Sequence, residues 1–301
     1  AALASREYPR DRLKGPTTMT AAARSNNPSA TAEAAVNPAL RLAFTLSGLI
    51  VPLAALAAGL GVFLPGLYRD ARVLVPVIQG QDLLTLLAMP VMLVVLQAAR
   101  RGSSRARVVL LGLLCYVLYT YTGASMSYHW NALIFVYMAL FALSAAAVAA
   151  LAVGLDARRV AGAFSMGAPV LPVTAFLWFS AVFLAVPEVA QMVPFFRDGT
   201  FPDMMRRIGA TSSFVFTLDL AVVTPLLVLS ALWLARRAPW GFVLAGAMLV
   251  KAATMGLALL SMTLFGVLDG QPVEVFLTVV YALITAGGLG FGAWFFSHCR
   301  V

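Results

Sequence analysis

The stretch Ala247-Met-Leu-Val-Lys-Ala-Ala-Thr-Met-Gly256 lies inside an apolar run that extends from residue 240 to residue 265. A bilayer core of about 30 Å needs roughly 20 apolar residues in helical conformation. The run therefore predicts a membrane-spanning helix, and it decides the class of fold. It also raises a functional question, because Lys251 places an ammonium near the middle of that helix.

The composition of the whole chain agrees with this prediction. Hydrophobic residues make up 61% of the 301 positions and charged residues 11%, and the mean hydropathy is +0.91. A soluble domain has about 25% charged residues. The sequence thus indicates an integral membrane protein, for which the lipid bilayer is the immediate partner.

Eight segments are long enough to cross the membrane, and none alternates in the manner of a barrel strand. We predict an all-α transmembrane bundle with spans at about 40–64, 76–98, 107–124, 131–154, 169–187, 214–235, 240–265 and 274–296. Ahead of this transmembrane domain (39–298), residues 1–38 are polar and basic and are predicted to be disordered. No signal-peptide pattern is visible there, and the first methionine is Met19, so the sequence leaves open whether residues 1–18 are native.

The distribution of positive charge predicts the orientation. With the N-terminus inside, fifteen lysines and arginines fall on the inner side and five on the outer side. The positive-inside rule therefore places both termini in the cytoplasm of a bacterial inner membrane. The net charge of +9 follows from this arginine pattern, and no nucleic-acid partner is expected.

The connection from Glu188 to Ser213 is predicted to be a long external loop. Within it, residues 203–208 (Asp-Met-Met-Arg-Arg-Ile) predict a short amphipathic helix at the membrane interface. The sequence leaves open whether this helix only anchors the loop or acts as a lid.

Two spans share a pattern that suggests an internal repeat. Asp82-Leu leads through Pro90 to Ala99-Arg-Arg, and Asp219-Leu leads through Pro225 to Ala235-Arg-Arg. Two units of four helices, 40–154 and 169–296, would then be related by a parallel repeat. Chance is the competing explanation, because Ala-Arg-Arg is a common helix ending.

Lys251 and Asp219 form the main candidate site. Short connections make the sixth and seventh spans a hairpin, so a flexible lysine side chain could reach the aspartate. Ionisable groups at such depth usually pair or face a cavity. Three interpretations stay open: a buried ion pair that fixes helix register, a proton- or cation-coupled site, and a Schiff-base lysine, although retinal proteins normally have seven helices with the lysine in the last.

Other polar side chains map to the same outer half of the bundle. Asp82 is either a helix-capping carboxylate or a second functional carboxylate, whereas His129 is expected to be interfacial without a ligand role. The inner halves of the helices are nearly free of polar side chains, which predicts a polar cavity that opens outward. The candidate site residues are Gln81, Asp82, Tyr116, Tyr119, Asn131, Asp219 and Lys251, with Glu274 as a further member.

Several chemistries have no motif in this sequence. It contains no phosphate-binding loop, His-Glu-x-x-His or Gly-x-Ser-x-Gly, and neither a metal site nor a cofactor is expected. Cys115 and Cys299 predict no disulfide, and Gly287-Gly288-Leu-Gly290 predicts close helix packing. The pattern favours a function other than catalysis.

Four sequence features together resemble a known group of proteins. They are Gly80-Gln-Asp82, the tyrosines from Tyr116 to Tyr121 that lead to Asn131, Asp219-Leu with Pro225, and Arg236-Arg-Ala-Pro-Trp-Gly241. The chain is similar to a widespread group of uncharacterised bacterial multi-spanning membrane proteins. The resemblance implies that these polar positions belong to a shared site, but it brings no activity.

Two functional hypotheses remain at this stage. The first is a secondary transporter or ion-coupled permease for a small molecule or ion, with Asp219 and Lys251 as the coupling pair. The second is a non-transporting subunit of a membrane complex or a membrane-embedded enzyme that acts on a lipid. A transporter predicts a polar path that continues inward past Lys251, whereas a subunit predicts a dry inner half.

Overall fold

The computed structural model describes residues 37–210 and 212–300. Nearly all of the predicted disordered tail therefore lies outside the described residues. Eleven α-helices and one π-helical segment are present in the described part: α1 (Pro38–Phe63), α2 (Val75–Arg100), α3 (Ser104–Ser127), α4 (Ile134–Gly154), α5 (Ala157–Ala163), α6 (Val170–Asp198), α7 (Asp203–Ile208), α8 (Phe214–Leu218), the π segment (Asp219–Val223), α9 (Thr224–Ala235), α10 (Pro239–Leu268) and α11 (Val275–Ser297).

The predicted all-α fold with eight spans is confirmed. In the described residues, eight helices are long and apolar enough to cross a membrane, and the sixth of them, Phe214–Ala235, combines α8, the π segment and α9. Asn37 begins the first span, because its side chain accepts hydrogen bonds from the N–H groups of Ala39 and Leu40 and so caps two free donors of the helix. The sequence-predicted boundaries agree within a few residues, except at the fifth span.

The fifth span is longer than predicted. Helix α6 continues to Asp198 and ends at Gly199, whose φ of 78° is a left-handed conformation that glycine adopts without strain. Pro187 and Pro194 lie within this helix without ending it, which neighbouring helices make possible in membrane proteins. The prediction that Glu188 begins a loop is therefore wrong.

The short helix predicted within this connection is present as α7. Its charges form ion pairs within the helix, since Arg206 and Arg207 donate to Asp203 at 2.9 Å and 2.6 Å. The hydrogen bond from Arg207 and its positive charge lower the pKa of Asp203. Met205 is buried, whereas the charged side chains are exposed, as expected for a helix at an interface. The structure describes one position of this helix, so the choice between anchor and lid stays open.

Two helices occupy the centre of the bundle. In α3 and α10, 78% and 61% of the residues in an apolar 18-residue stretch are buried, whereas in the other six spans the share is 22–39%. Helix α10 contacts α2 and α3 on one side and α9 and α11 on the other. Any polar group on α10 that faces inward is thus surrounded by protein rather than lipid.

The two halves of the chain have the same order of helix contacts. In the first, α1, α2, α3 and α4 contact their sequence neighbours, and α1 also contacts α4. In the second, α6, the sixth span, α10 and α11 do the same, with α6 against α11. This ring order is what a repeat of four helices would produce, and the repeat stays a prediction.

We call the end of the bundle where α1 begins the basic end, because Arg100, Arg101, Arg236 and Arg237 lie at helix ends there. Arg100 donates to the backbone carbonyl of Phe44 at 2.9 Å. The other end of the bundle is called the opposite end. The positive-inside rule makes the basic end the cytoplasmic one, and this orientation also stays a prediction.

Two glycines of α11 differ in how closely neighbouring atoms pack against them. A Cβ atom on Gly288 would lie 2.5 Å from the backbone nitrogen of Ala253, whereas a Cβ on Gly290 would meet nothing within 4 Å. We expect Gly288→Ala to lower the free energy of unfolding by about 1–3 kcal/mol, as overpacking does. The control Gly290→Ala should be neutral or should stabilise by up to about 1 kcal/mol. Denaturation in detergent measures both, and equal effects would contradict the packing.

Candidate functional site

Four ionisable side chains from four spans lie close together inside the bundle, and we call them the carboxyl cluster. Each is at least 91% buried. They are Tyr119 of α3, Glu188 of α6, Asp219 of the π segment and Lys251 of α10.

The Lys251 ammonium lies over an aromatic ring. Its Nζ atom is 4.2 Å from the centroid of Tyr119. A desolvated cation over the face of a ring gains about 2 kcal/mol, so Tyr119 replaces part of the hydration that the ammonium loses. Tyr119 in turn contacts Phe214, with ring centroids 6.4 Å apart.

The expected partnership between Lys251 and Asp219 is present without direct contact. The two groups interact electrostatically, but no direct ion pair joins them in the described residues, where the ring of Tyr119 lies beside the ammonium. The two residues are displaced along the α9–α10 hairpin by about four positions, or about 6 Å at 1.5 Å per residue. Tyr119, which belongs to a third helix, lies in this gap. The sequence analysis considered only the two helices of the hairpin and so did not predict it.

Asp219 is positioned by a local irregularity of the sixth span. The N–H of Thr224 donates to the carbonyl of Asp219, five residues earlier, which defines the π turn. Pro225 follows directly, and its ring would clash with a carbonyl four residues earlier in a regular helix. The wider turn accommodates the proline, and π-bulges of this kind occur frequently at functional sites.

Glu188 is the member of the cluster that the sequence analysis missed. Its carboxyl group interacts electrostatically with that of Asp219, and so does Tyr119. One oxygen of Glu188, Oε2, is buried and has no hydrogen-bond donor among the described residues. The predicted fifth span ended at residue 187, so the glutamate was assigned to the loop.

Asp82 belongs to a separate group of polar side chains in the first half of the chain. It accepts a hydrogen bond from the hydroxyl of Tyr68, which lies in the loop between α1 and α2. Burial and the nearby Asp82 carboxylate raise the pKa of Tyr68, so its hydroxyl stays a donor. A Cβ on Gly61 would lie 1.9 Å from Oδ2 of Asp82, so only glycine leaves room for this contact.

The capping interpretation of Asp82 does not hold in the structure. Helix α2 begins after Leu74 without a side-chain cap, and Asp82 is buried seven residues beyond the first residue of the helix. Its hydrogen-bond donor is a tyrosine of another segment rather than a backbone N–H.

Gln81 and Tyr116 form the polar contact between α2 and α3. Nε2 of Gln81 donates to the Tyr116 hydroxyl at 2.8 Å and to Oγ1 of Thr120 at 3.0 Å. Oγ1 of Thr85 lies 2.9 Å from the same tyrosine hydroxyl. Tyr116 and Tyr119 are one turn apart on α3, yet Tyr116 bonds to α2 while Tyr119 faces Lys251 of α10. The candidate residues thus divide between two groups.

Asn131 and His129 lie at the opposite end and shape a loop. The Asn131 side chain accepts from the N–H of Leu133 at 2.9 Å. Asp70 accepts from the backbone N–H of His129 at 2.9 Å, and Nδ1 of the histidine lies 3.3 Å from the same oxygen. Glu274, the further candidate, is exposed at the start of α11. His129 and Glu274 are therefore outside both buried groups, whereas Asn131 is itself buried.

The contribution of the Tyr68–Asp82 hydrogen bond can be measured directly. Tyr68→Phe removes the donor and leaves a buried carboxyl oxygen without it, which should cost about 1–3 kcal/mol of stability. Tyr128→Phe is the matched control, because Tyr128 packs edge-on against Tyr68 at 6.0 Å and its hydroxyl makes no hydrogen bond in the described residues. Thermal unfolding in detergent should separate the two variants, and equal losses would show that the bond is not needed.

The surface grooves of the bundle do not coincide with the polar groups. One of about 490 Å³ lies between Asp156, Trp233 and Trp240, and another of about 470 Å³ lies between Pro169, Arg237 and Trp294. Both are at the basic end. The carboxyl cluster is enclosed in this conformation, and the outward-opening cavity stays a prediction.

Comparisons with models of protein families, with curated proteins and with solved structures find no match. The resemblance to uncharacterised bacterial membrane proteins also stays a prediction. The site is therefore interpreted from its own chemistry.

Proposed function

We propose that this protein is a small ion-coupled secondary transporter of a bacterial inner membrane and that the carboxyl cluster is its coupling site. The observation that carries the proposal is the meeting of Glu188, Asp219 and Lys251 in a buried position between spans. Ionisable groups are costly within a membrane, and where they occur they commonly mark ion pathways. A structural ion pair would need one acid and one base, whereas this cluster has a second acid.

The position of Asp219 on the π segment supports a site whose local backbone geometry can change during transport. A π turn followed by a proline interrupts the regular hydrogen bonding of a span, and interrupted spans at the membrane midplane form the binding sites of many transporters. The sixth span can therefore change its local geometry without losing its neighbours.

The route toward the basic end is closed by apolar packing. Phe164, Phe242 and Phe295 form a compact aromatic group there, with centroid distances of 4.5 Å, 5.1 Å and 6.2 Å. In a transporter this group acts as the inner gate of a conformation with an enclosed site. Transport requires these rings to separate in an alternating-access cycle.

The apolar packing at the basic end also favours a second candidate function, a non-transporting subunit of a membrane complex. In that case the aromatic group is permanent core and the carboxyl cluster fixes the register of four helices. A lipid-acting enzyme has no comparable support, since the carboxyl cluster is enclosed by protein.

Reconstitution separates the two candidates. Proteoliposomes that contain the full chain and the trapped pH dye pyranine would be exposed to gradients of amino acids, sugars, carboxylates and organic cations. We expect at least one solute to move protons across the membrane. Asp219→Asn should slow this movement at least about tenfold, which corresponds to about 1.4 kcal/mol in the barrier.

Asp269→Asn is the matched control, because Asp269 is an exposed aspartate after the end of α10. Proton movement should be the same as in the unsubstituted protein. If no solute is taken up under either a proton or a sodium gradient, or if Asp219→Asn only lowers thermal stability, the transporter proposal is wrong and the subunit is favoured.

A further inference from the structure

We propose that the groove at the start of α6 binds the phosphate of an anionic phospholipid. This groove, which we call the α6 groove, has a volume of about 470 Å³ and is lined by the first residues of α6, by Arg237 of the turn between α9 and α10, and by Trp294 of α11. Its volume lies within the range of about 300–1,000 Å³ that is usual for small-molecule sites. The groove includes no member of the carboxyl cluster, so this inference does not depend on the proposed transport function.

The α6 groove has a positive charge and no negative one. Arg237 is exposed, and its guanidinium makes no hydrogen bond or ion pair within the described residues. The planar fork of donors on an arginine suits the oxygens of a phosphate. No acidic residue of the described chain lines the groove, so it offers no partner for the amine of a zwitterionic lipid. The groove therefore favours a headgroup with a net negative charge.

The start of α6 adds two more features that attract a phosphate. The helix begins after Pro169 without a side-chain cap, so the free N–H groups of its first turn have a partial positive charge. Thr174 lines the same groove. Its side chain is only 8% exposed, and its Oγ1 atom has no hydrogen-bond partner among the described residues. Buried hydroxyl groups are normally bonded, so this one indicates a ligand oxygen in the groove.

The surroundings of the groove indicate a lipid as the source of the phosphate. Trp294 is 48% exposed and Leu171 is 79% exposed, and both line the groove. Tryptophan at the end of a span is typical of the membrane interface, where basic pockets between spans bind lipid headgroups. On the same face of α11 as Trp294, a Cβ on Gly290 would meet nothing within 4 Å, which leaves space for an acyl chain. A free phosphate would contact none of this apolar surface.

The other groove at the basic end, which we call the α5 groove, provides a matched comparison. It has a volume of about 490 Å³ and is also lined by tryptophan and by one arginine, Arg158. It differs because Asp156 lines it as well, and this carboxylate caps α5 by accepting from the N–H groups of Arg158 and Arg159. A carboxylate repels a phosphate, so we expect only the α6 groove to select an anionic lipid.

Native mass spectrometry of the full chain in detergent tests the site. We expect phosphatidylglycerol to bind about tenfold more tightly than phosphatidylcholine. Arg237→Gln should reduce the affinity for phosphatidylglycerol about tenfold, as the loss of one hydrogen bond to a charged group does. Thr174→Val should reduce it about threefold, because it removes a hydroxyl at constant shape. Arg158→Gln is the matched control and should leave the affinity unchanged.

Four results overturn the inference. They are equal affinity for the two lipids, unchanged affinity in Arg237→Gln or Thr174→Val, equal losses in Arg237→Gln and Arg158→Gln, and an adduct with inorganic phosphate when no lipid binds. The same spectra report a dimer of the chain. A dimer that replaces the lipid adduct and is lost in Arg237→Gln would show that a second copy occupies the groove, which also overturns the inference.

Tryptophan fluorescence locates the lipid even if Arg237→Gln fails to fold. Phosphatidylglycerol with brominated acyl chains should quench the protein more strongly than brominated phosphatidylcholine at the same mole fraction. This difference should be lost in Trp294→Phe. It should remain in the control Trp130→Phe, because Trp130 is exposed in the loop between α3 and α4 at the opposite end. A difference that remains in Trp294→Phe overturns the placement of the lipid in the α6 groove.

Discussion

Lys251→Met is expected to lower the free energy of unfolding by about 3–5 kcal/mol, the cost of removing one partner from a buried set of charges. The substitution keeps an unbranched apolar side chain of similar length, so packing changes little. What it removes is the ammonium that stabilises Asp219 and lies over the ring of Tyr119. The expected loss should shrink as the pH falls, because a proton can then neutralise the Asp219 carboxylate that has lost its cation.

A double substitution distinguishes charge from packing. Lys251→Met combined with Asp219→Asn removes the ammonium and its partner carboxylate together, so most of the lost stability should return. Thr254→Val is the control on the same helix, because the Thr254 hydroxyl bonds only to carbonyls of its own helix. It should cost about 1 kcal/mol or less. Additive losses in the double variant would show that Lys251 and Asp219 are energetically independent.

The overall fold could be predicted because the membrane makes length and apolarity sufficient criteria. In a bilayer every backbone group must bond within its own helix, so an apolar run of 20 residues has few alternatives. The exception was the end of the fifth span. Pro187 would end a helix in a soluble protein, but α6 continues past it for eleven residues, to Asp198. The predicted end at residue 187 was therefore too early, and Glu188 was lost from the site as a result.

The site was partly predictable for a different reason. Asp219 and Lys251 could be predicted as neighbours because a short turn joins their spans. Such a turn determines which residues of the two helices lie at similar depths in the membrane. Tyr119 and Glu188 come from spans that are distant in sequence, and only tertiary packing brings them to Asp219. The same is true of Tyr68, a loop residue that bonds to Asp82. Ionisable groups within a span usually have partners, but this principle does not identify which residues the partners are.

Deletion of Val222 is expected to abolish solute-driven proton movement. A π turn contains one residue more than the α-helical turn that it replaces, so removing one residue restores regular helix. Each residue of an α-helix corresponds to about 100° of rotation and 1.5 Å of rise. With α9 held in place by its contacts, Asp219 would turn away from Glu188 and Lys251, toward a neighbouring face of the span.

The deletion tests geometry while every ionisable group is kept. Val222 is 45% exposed, so no buried contact is lost, and the span of 22 residues still crosses the membrane after losing one. Val222→Ala retains the π turn and should behave as the unsubstituted protein. The pyranine assay measures proton movement, and circular dichroism checks that the helices remain. If the folded deletion variant still moves protons at the normal rate, coupling does not depend on the position of Asp219, because the deletion rotates that carboxylate by about 100° relative to α9.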